Sequence, residues 1–224
     1  MTKLSVEETA YRAIIDMVVS RDFLPGSAVP ESLVAEKLNI SRTPARSALK
    51  RLVSDGLLEY KINKGCFVPC LTKKDLDSLT NFRQVIEPAC AAEAAKKYTP
   101  EFKPQMEALL LEEEDCIKNN GVDLHIINEK IHGLVIEISE NDYYARPIRQ
   151  SMWRYQLYLF FFHNFYSDYQ KRIAELKNLK KEYKSPIQHL LLFKAISNHD
   201  AESASNIMKE HISGVYKYLT RKEW

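Results

Sequence analysis

The stretch that most constrains this chain is Asn39 to Leu52, where one helical pattern stops and another starts at once. Before it, a short amphipathic segment from about Pro30 to Leu38 turns Leu33, Val34 and Leu38 inward, and Asn39 breaks it. Ser41 then suits an N-cap, because its hydroxyl can accept from an unpaired first-turn N–H. Pro44 falls in the first turn, where its missing N–H costs nothing. Ala45, Ala48, Leu49 and Leu52 share one stripe of this helix. Two helices joined by so short a turn form a helix-turn-helix unit. Arg42, Arg46 and Lys50 recur every four residues on a neighbouring flank. Arg42 and Arg46 lie at the N-terminal end, the part that reaches base edges when such a helix enters the DNA major groove. A guanidinium can donate twice to guanine, and a lysine can neutralise a phosphate. From this window alone, an ordinary amphipathic helix with a solvated basic face is the alternative.

The flanking sequence narrows the choice. Ser5 and Glu8 read as a capping box before a helix to about Ser20, with Ala10, Ile14, Met17 and Val18 as its buried stripe. Leu24-Pro25-Gly26-Ser27 reads as a turn on its residues alone. Asp55-Gly56 ends the third helix, since glycine readily takes the left-handed conformation there. Leu57–Ile62 and Cys66–Pro69 read as strands joined by the tight turn Asn63-Lys64-Gly65. Three helices and a β-hairpin make a winged helix-turn-helix over residues 1–70, with Lys61 and Lys64 at the wing tip for backbone phosphate. The charge agrees: residues 1–74 carry 12 Lys/Arg against 8 Asp/Glu, and residues 75–224 carry 20 against 22.

After a connector at 71–74 no strand pattern is visible. Helical segments are expected at about 75–97, 101–119, 123–140, 143–166, 168–183, 186–198 and 201–221, with Pro88 able to split the first. The fold class is therefore mainly α: the winged unit, then an all-α antiparallel bundle of six or seven helices over 75–224. The charge-rich stretch from Lys171 to Lys184 reads as a solvated helix face. Cys66, Cys70, Cys90 and Cys116 form no CxxC pair and read as reduced thiols of a cytoplasmic protein. The N-terminus lacks the apolar core of a signal peptide. The most apolar run, Leu157–Phe162, is too short to span a bilayer and reads as core, pocket wall or subunit contact.

In the second half the informative residues are histidines. Asn128 and His132 are four apart on one helix and share a face. His189 lies 10 residues before the turn at His199, and His211 lies 12 residues after it. At ~1.5 Å rise per residue, an antiparallel pair sets both imidazoles at nearly one height. If the helix of His132 packs alongside, three imidazoles and one amide converge, which is how bundles build metal sites. Spacing alone leaves packed core histidines equally open. His125, His163 and His199 read as ordinary core or surface residues, with His163 near a possible pocket.

The motifs also carry a resemblance. Leu24-Pro25-Gly26, Ser41-Arg42-Thr43-Pro44-Ala45-Arg46-Ser47-Ala48-Leu49, Asp55-Gly56-Leu57 and Gly65-Cys66-Phe67-Val68 resemble the DNA-binding domain of GntR-family bacterial regulators. That resemblance implies base reading by Arg42 and Arg46, phosphate contacts from Ser41 and Thr43, and a wing turn, Lys64-Gly65, in the minor groove. Ser47 and Ala45 depart from the usual Glu and larger apolar residue, and neither removes a DNA contact. Downstream, Asn128-x-x-x-His132, Ser139-Glu140-Asn141, His189 and Asp200-x-x-x-Ala204-x-x-x-Met208-x-x-His211 resemble the effector domain of the FadR-like branch, the FCD type, with Arg83 and Glu87 matching its first helix. The resemblance implies a divalent metal held by His132, His189 and His211, with Asn128 where an Asp is usual, and a small carboxylate effector paired with Arg83. An amide brings no charge, so zinc or nickel, which favour imidazole, are the expected ions; a metal-free site that binds the acid directly is the other option.

The sequence thus leads to a homodimeric, metabolite-responsive regulator, read as a repressor, on a near-palindromic double-stranded operator and away from any membrane. A metal-dependent enzyme acting on a small carboxylate and a metal-free helical interaction module are the alternatives. No acid–base residue sits at recognisable spacing from the histidines, so no catalytic residue is assigned.

Overall fold

The structure, a computed structural model, describes residues 5–119, 124–162 and 185–220. The N-terminal unit comprises α1 (Val6–Val19), α2 (Glu31–Lys37), α3 (Arg42–Asp55), β1 (Glu59–Lys61) and β2 (Gly65–Phe67). Ser5 caps α1 by accepting from the N–H of Glu8 at 3.1 Å. The capping box is only half formed, because the Glu8 carboxylate turns to Arg12 and Arg51 instead. Asn39 takes a left-handed φ of 51°, which stops α2 and reverses the chain into α3. Ser41 occupies the N-cap of α3 but its hydroxyl makes no capping bond, so that expectation is corrected. Gly56, at φ 92°, ends the helix.

The hairpin is shorter than expected, with Glu59 opposite Phe67 and Lys61 opposite Gly65. It gains an unexpected neighbour. Gly26 and Val29 donate to the carbonyls of Val68 and Cys66, and Val68 donates back to Ser27, each within 3.0 Å. The segment read as a simple turn thus lies along β2 and satisfies its outer edge, which a bare strand would leave unpaired.

The bundle comprises α4 (Lys73–Lys97), a 3-10 turn (Pro100–Phe102), α5 (Lys103–Lys118), α6 (Leu124–Ser139), α7 (Asp142–Phe162), α8 (Ser185–Ser197) and α9 (Ala201–Leu219). Thr72 caps α4 by accepting from Asp75 N–H at 3.1 Å, so Lys73 and Lys74, expected in the connector, are helical. Pro88 does not split α4, which runs unbroken through it. α8 and α9 form the expected antiparallel hairpin. His199 turns the chain at φ 58°, its Nδ1 lies 3.0 Å from the Ala95 carbonyl on α4, and Asp200 caps α9. The expected helix at 168–183, His163 and the Lys171–Lys184 charge stretch lie outside the described residues.

α7 ties the two units together. Ile148 and Met152 join the bundle core, whereas Trp153, Leu157 and Phe160 join the core of the winged unit with Ile14, Val34, Leu49 and Leu52. Tyr155, Tyr158 and Leu159 close a third cluster with Leu76 and Leu219. A helix segment apolar on every face must be buried on every face, and Leu157, Tyr158, Leu159 and Phe160 are all core. No helix among the described residues is long and apolar enough to cross a membrane.

Candidate functional site

α3 and its N-cap present Ser41, Arg42, Thr43, Arg46 and Lys50 on the surface, with no acidic residue in the first turn. Lys64 is exposed at the wing tip beside Gly65. Two expected contacts look different without DNA. Arg46 is engaged by Glu31 of α2 through bonds of 2.8 and 3.1 Å. Lys61 pairs with Glu59 at 2.9 Å and lies over the Phe67 ring, whereas Lys64 is exposed at the turn.

The second site lies inside the bundle. His132 on α6, His189 on α8 and His211 on α9 are 2%, 1% and 4% exposed. Their ring centroids are 4.8 to 6.0 Å apart, and one ring nitrogen of each lies within 4.8 Å of the others. Matched heights across the α8–α9 turn bring the last two together. Burial lowers the proton affinity of His132, against an opposing pull from Glu87. Burial, reinforced by His189, His132 and Arg83, sets that of His211 well below an ordinary imidazole. Both rings are therefore neutral near pH 7 and keep a lone pair for a metal. Nε2 of His132 and Nδ1 of His211 are buried with no hydrogen-bond partner among the described residues. A triad of converging imidazoles, with unsatisfied nitrogens on His132 and His211, suits zinc or nickel, so these residues fit such an ion. Asn128 lies one turn before His132 on α6 and is partly buried.

Two carboxylates back the imidazoles. Glu113 Oε1 of α5 lies 2.9 Å from His189 Nδ1. Glu87 Oε2 of α4 lies 2.6 Å from His132 Nδ1, close but without hydrogen-bond alignment. Arg83, expected to hold an effector, is engaged by Glu87 through both Nε and Nη2, and its guanidinium stacks 4.7 Å from the Tyr155 ring centre. Burial would raise the Glu87 carboxyl, but the charges of Arg83 and His132 hold it down at about 2. Sequence reasoning gave Glu87 no role at the histidines and missed Glu113 altogether. The i, i+4 spacing of Arg83 and Glu87 is a signal for their pairing, whereas Glu113 has none, standing in an acidic run that reads as a solvated face.

Comparison with known proteins identifies the two units. Residues 6–68 match bacterial regulatory proteins of the gntR family, and residues 78–214 match the FCD domain. The chain belongs to the GntR family, in its FCD-bearing branch. This GntR–FCD regulator is 28% identical over 212 residues to an uncharacterized HTH-type transcriptional regulator, YdhC of Bacillus subtilis (strain 168), covering 89% of this chain and 91% of that one. It is 22% identical to the HTH-type transcriptional repressor RspR of Escherichia coli (strain K12), covering 94% and 87%. Its fold is similar to that of the solved E. coli McbR/YncC, with a TM-score of 0.74 at 22% identity, covering 97% and 98%. The family and these relatives are transcription regulators, not enzymes.

The units of this GntR–FCD regulator meet through α7. Gln150 Nε2 donates to the Ser54 carbonyl at the end of α3 (2.9 Å), and Arg21 reaches the Phe160 carbonyl (3.3 Å). At the connector, Tyr158 donates to Asp75 at 2.6 Å and accepts from Thr72 N–H at 3.2 Å. His125, which the sequence left as an ordinary core residue, packs edge-on against Trp153 and Phe160 of the same helix.

Proposed function

We propose that this GntR–FCD regulator is a metal-assisted, effector-responsive repressor. Its three buried imidazoles converging inside the bundle, with unsatisfied nitrogens on His132 and His211, are the observation that carries this reading. His132, His189 and His211 hold a divalent ion, zinc or nickel, and Asn128 contributes its carbonyl from the preceding turn of α6. Bound there, the ion supplies a positive centre for a small carboxylate. Arg83 orients that carboxylate with the guanidinium N–H groups that Glu87 does not use. Effector binding strains the packing of α4 and α6. Because α6 meets α7 where His125 packs on Trp153 and Phe160, and α7 shares the core of the winged unit, the strain reaches α3.

In the operator complex, two copies set their α3 helices about 34–36 Å apart, one helical turn of DNA. Ser41, Thr43, Lys50 and Lys64 neutralise or bond phosphates, Arg42 and Arg46 read bases, and the Lys64-Gly65 turn enters the minor groove. A change in α7 alters the spacing of the two copies. Affinity for the two-site operator then falls, because both half-sites must engage together.

The test is metal analysis of the purified protein, followed by operator binding with and without zinc, nickel and a panel of small carboxylic acids. Stoichiometric metal, abolished in His189→Ala, and an operator affinity that responds to one acid support the reading. Protein that takes up neither ion, with operator affinity indifferent to every acid, defeats it.

A further inference from the structure

Glu113 is the one acidic residue of the run Glu112-Glu113-Glu114-Asp115 that is buried, at 3% exposed. Its neighbours in the run have ordinary surface partners: Glu112 meets Lys130, and Glu114 meets Lys118 at 2.8 Å. No lysine or arginine among the described residues pairs with Glu113, and its ion-pair contact is with His189 Nδ1. An isolated carboxylate in a protein interior is costly unless a positive charge balances it. Glu87, the other carboxylate at the site, is balanced by Arg83. Among the described residues Glu113 faces only an imidazole, and beyond that imidazole lie the ring nitrogens of His132 and His211.

We infer that Glu113 is the anionic positioning residue of the metal site, acting through His189. The inference rests on the metal reading above and deepens it. A neutral imidazole has one N–H and one lone pair, and the bond at one nitrogen decides which role falls to the other. A carboxylate at Nδ1 accepts that N–H, so Nε2 keeps its lone pair and points it at the metal. The same carboxylate supplies, one layer out, the negative charge that Asn128 does not bring. With Arg83 and Glu87 cancelling, a divalent ion plus Glu113 leaves one positive charge. That balance favours an effector presenting a single carboxylate over a dicarboxylate or a neutral sugar.

Full-length protein, stripped with a chelator, is titrated with zinc against a chromophoric competitor, comparing wild type, Glu113→Gln and Glu114→Gln. The glutamine oxygen can still accept from Nδ1, so Glu113→Gln removes charge and spares the bond. Zinc affinity should fall about tenfold or more in Glu113→Gln and stay unchanged in Glu114→Gln. Imidazole 15N spectra of the metal-free wild type, which need no variant, should find the His189 proton on Nδ1. Wild-type zinc affinity in Glu113→Gln, or the His189 proton on Nε2, overturns the inference and leaves the metal reading standing. A wild type that binds neither zinc nor nickel overturns the metal reading, and this inference with it.

Discussion

Gly56 and Gln150 lie backbone to backbone: a Cβ built on Gly56 would fall 2.7 Å from the Gln150 carbonyl oxygen and 2.9 Å from its Cα. This is where the end of α3 meets α7, and neither atom belongs to a flexible side chain that could yield. Gly56 also sits at φ +92°, where an alanine costs about 1–2 kcal/mol for its backbone alone. Gly65 provides the control, with nearly the same φ, +91°, and open space around it. Urea denaturation should therefore find Gly56→Ala destabilised well beyond Gly65→Ala, the difference measuring the contact between the units. Equal losses would mean that α3 and α7 are not held together at this point.

Arg46 is tied to Glu31 in the free protein, but the pair is solvent-exposed. Exposed ion pairs contribute little, so it should open readily for DNA. Arg46→Ala should weaken binding to an operator selected by the wild type about 10- to 100-fold if the guanidinium makes a bidentate base contact. Glu31→Ala should leave binding equal or tighter, because it frees Arg46. Fluorescence anisotropy on operator and scrambled duplexes separates the cases. A loss of the same size on both DNAs for Arg46→Ala would identify a phosphate contact instead.

Glu129 gives a pH signature for the same junction. Burial raises its carboxyl above the ordinary value and Asp55 on α3 adds to this, while Arg149 opposes it. A carboxyl raised on folding favours the folded state while protonated, and that contribution is lost as pH rises through the folded value. Glu129→Gln cannot ionise. It should therefore match the wild type at or below about pH 4.5, the unfolded value, and become the more stable of the two as pH rises toward neutrality. Paired urea titrations at both ends of this range check it; a variant that loses ground with rising pH would mean the Arg149 contact outweighs burial.

What was legible in the sequence was whatever short-range chemistry decides. Asn39 and Gly56 punctuate helices because their backbones must be left-handed, and residue type reports that directly. His189 and His211 stand at matched distances from one turn, and because helical rise is fixed the spacing alone sets them at one height. What escaped depends on faces meeting across the fold. Glu113 is set apart from Glu112 and Glu114 only by the way α5 packs on α8. Trp153, Leu157 and Phe160 look like one greasy run, and nothing local says that this face of α7 completes the winged unit. Arg83 reads from its motif as an effector contact, and its pairing with Glu87, one turn away, goes unread there. Pro88 marks a break by composition, yet α4 continues through it.

Asn128 is the residue whose chemistry departs furthest from an acid-bearing metal site. It precedes His132 by one turn of α6 and is partly buried, so it shares the histidine's side of the helix. If it ligates through its carbonyl, replacing that oxygen with a carboxylate adds a full negative charge beside the ion. Asn128→Asp should then tighten zinc binding by at least ~10-fold, the scale on which even outer-layer changes act. In the metal-free protein the same change sets a further carboxylate beside the three rings with no metal ion to balance it, which costs stability. The two effects make a joint signature: melting temperature falls without zinc and rises above wild type with it. Chelator competition and thermal melts on one preparation read both, and unchanged zinc affinity would remove Asn128 from the ligand set.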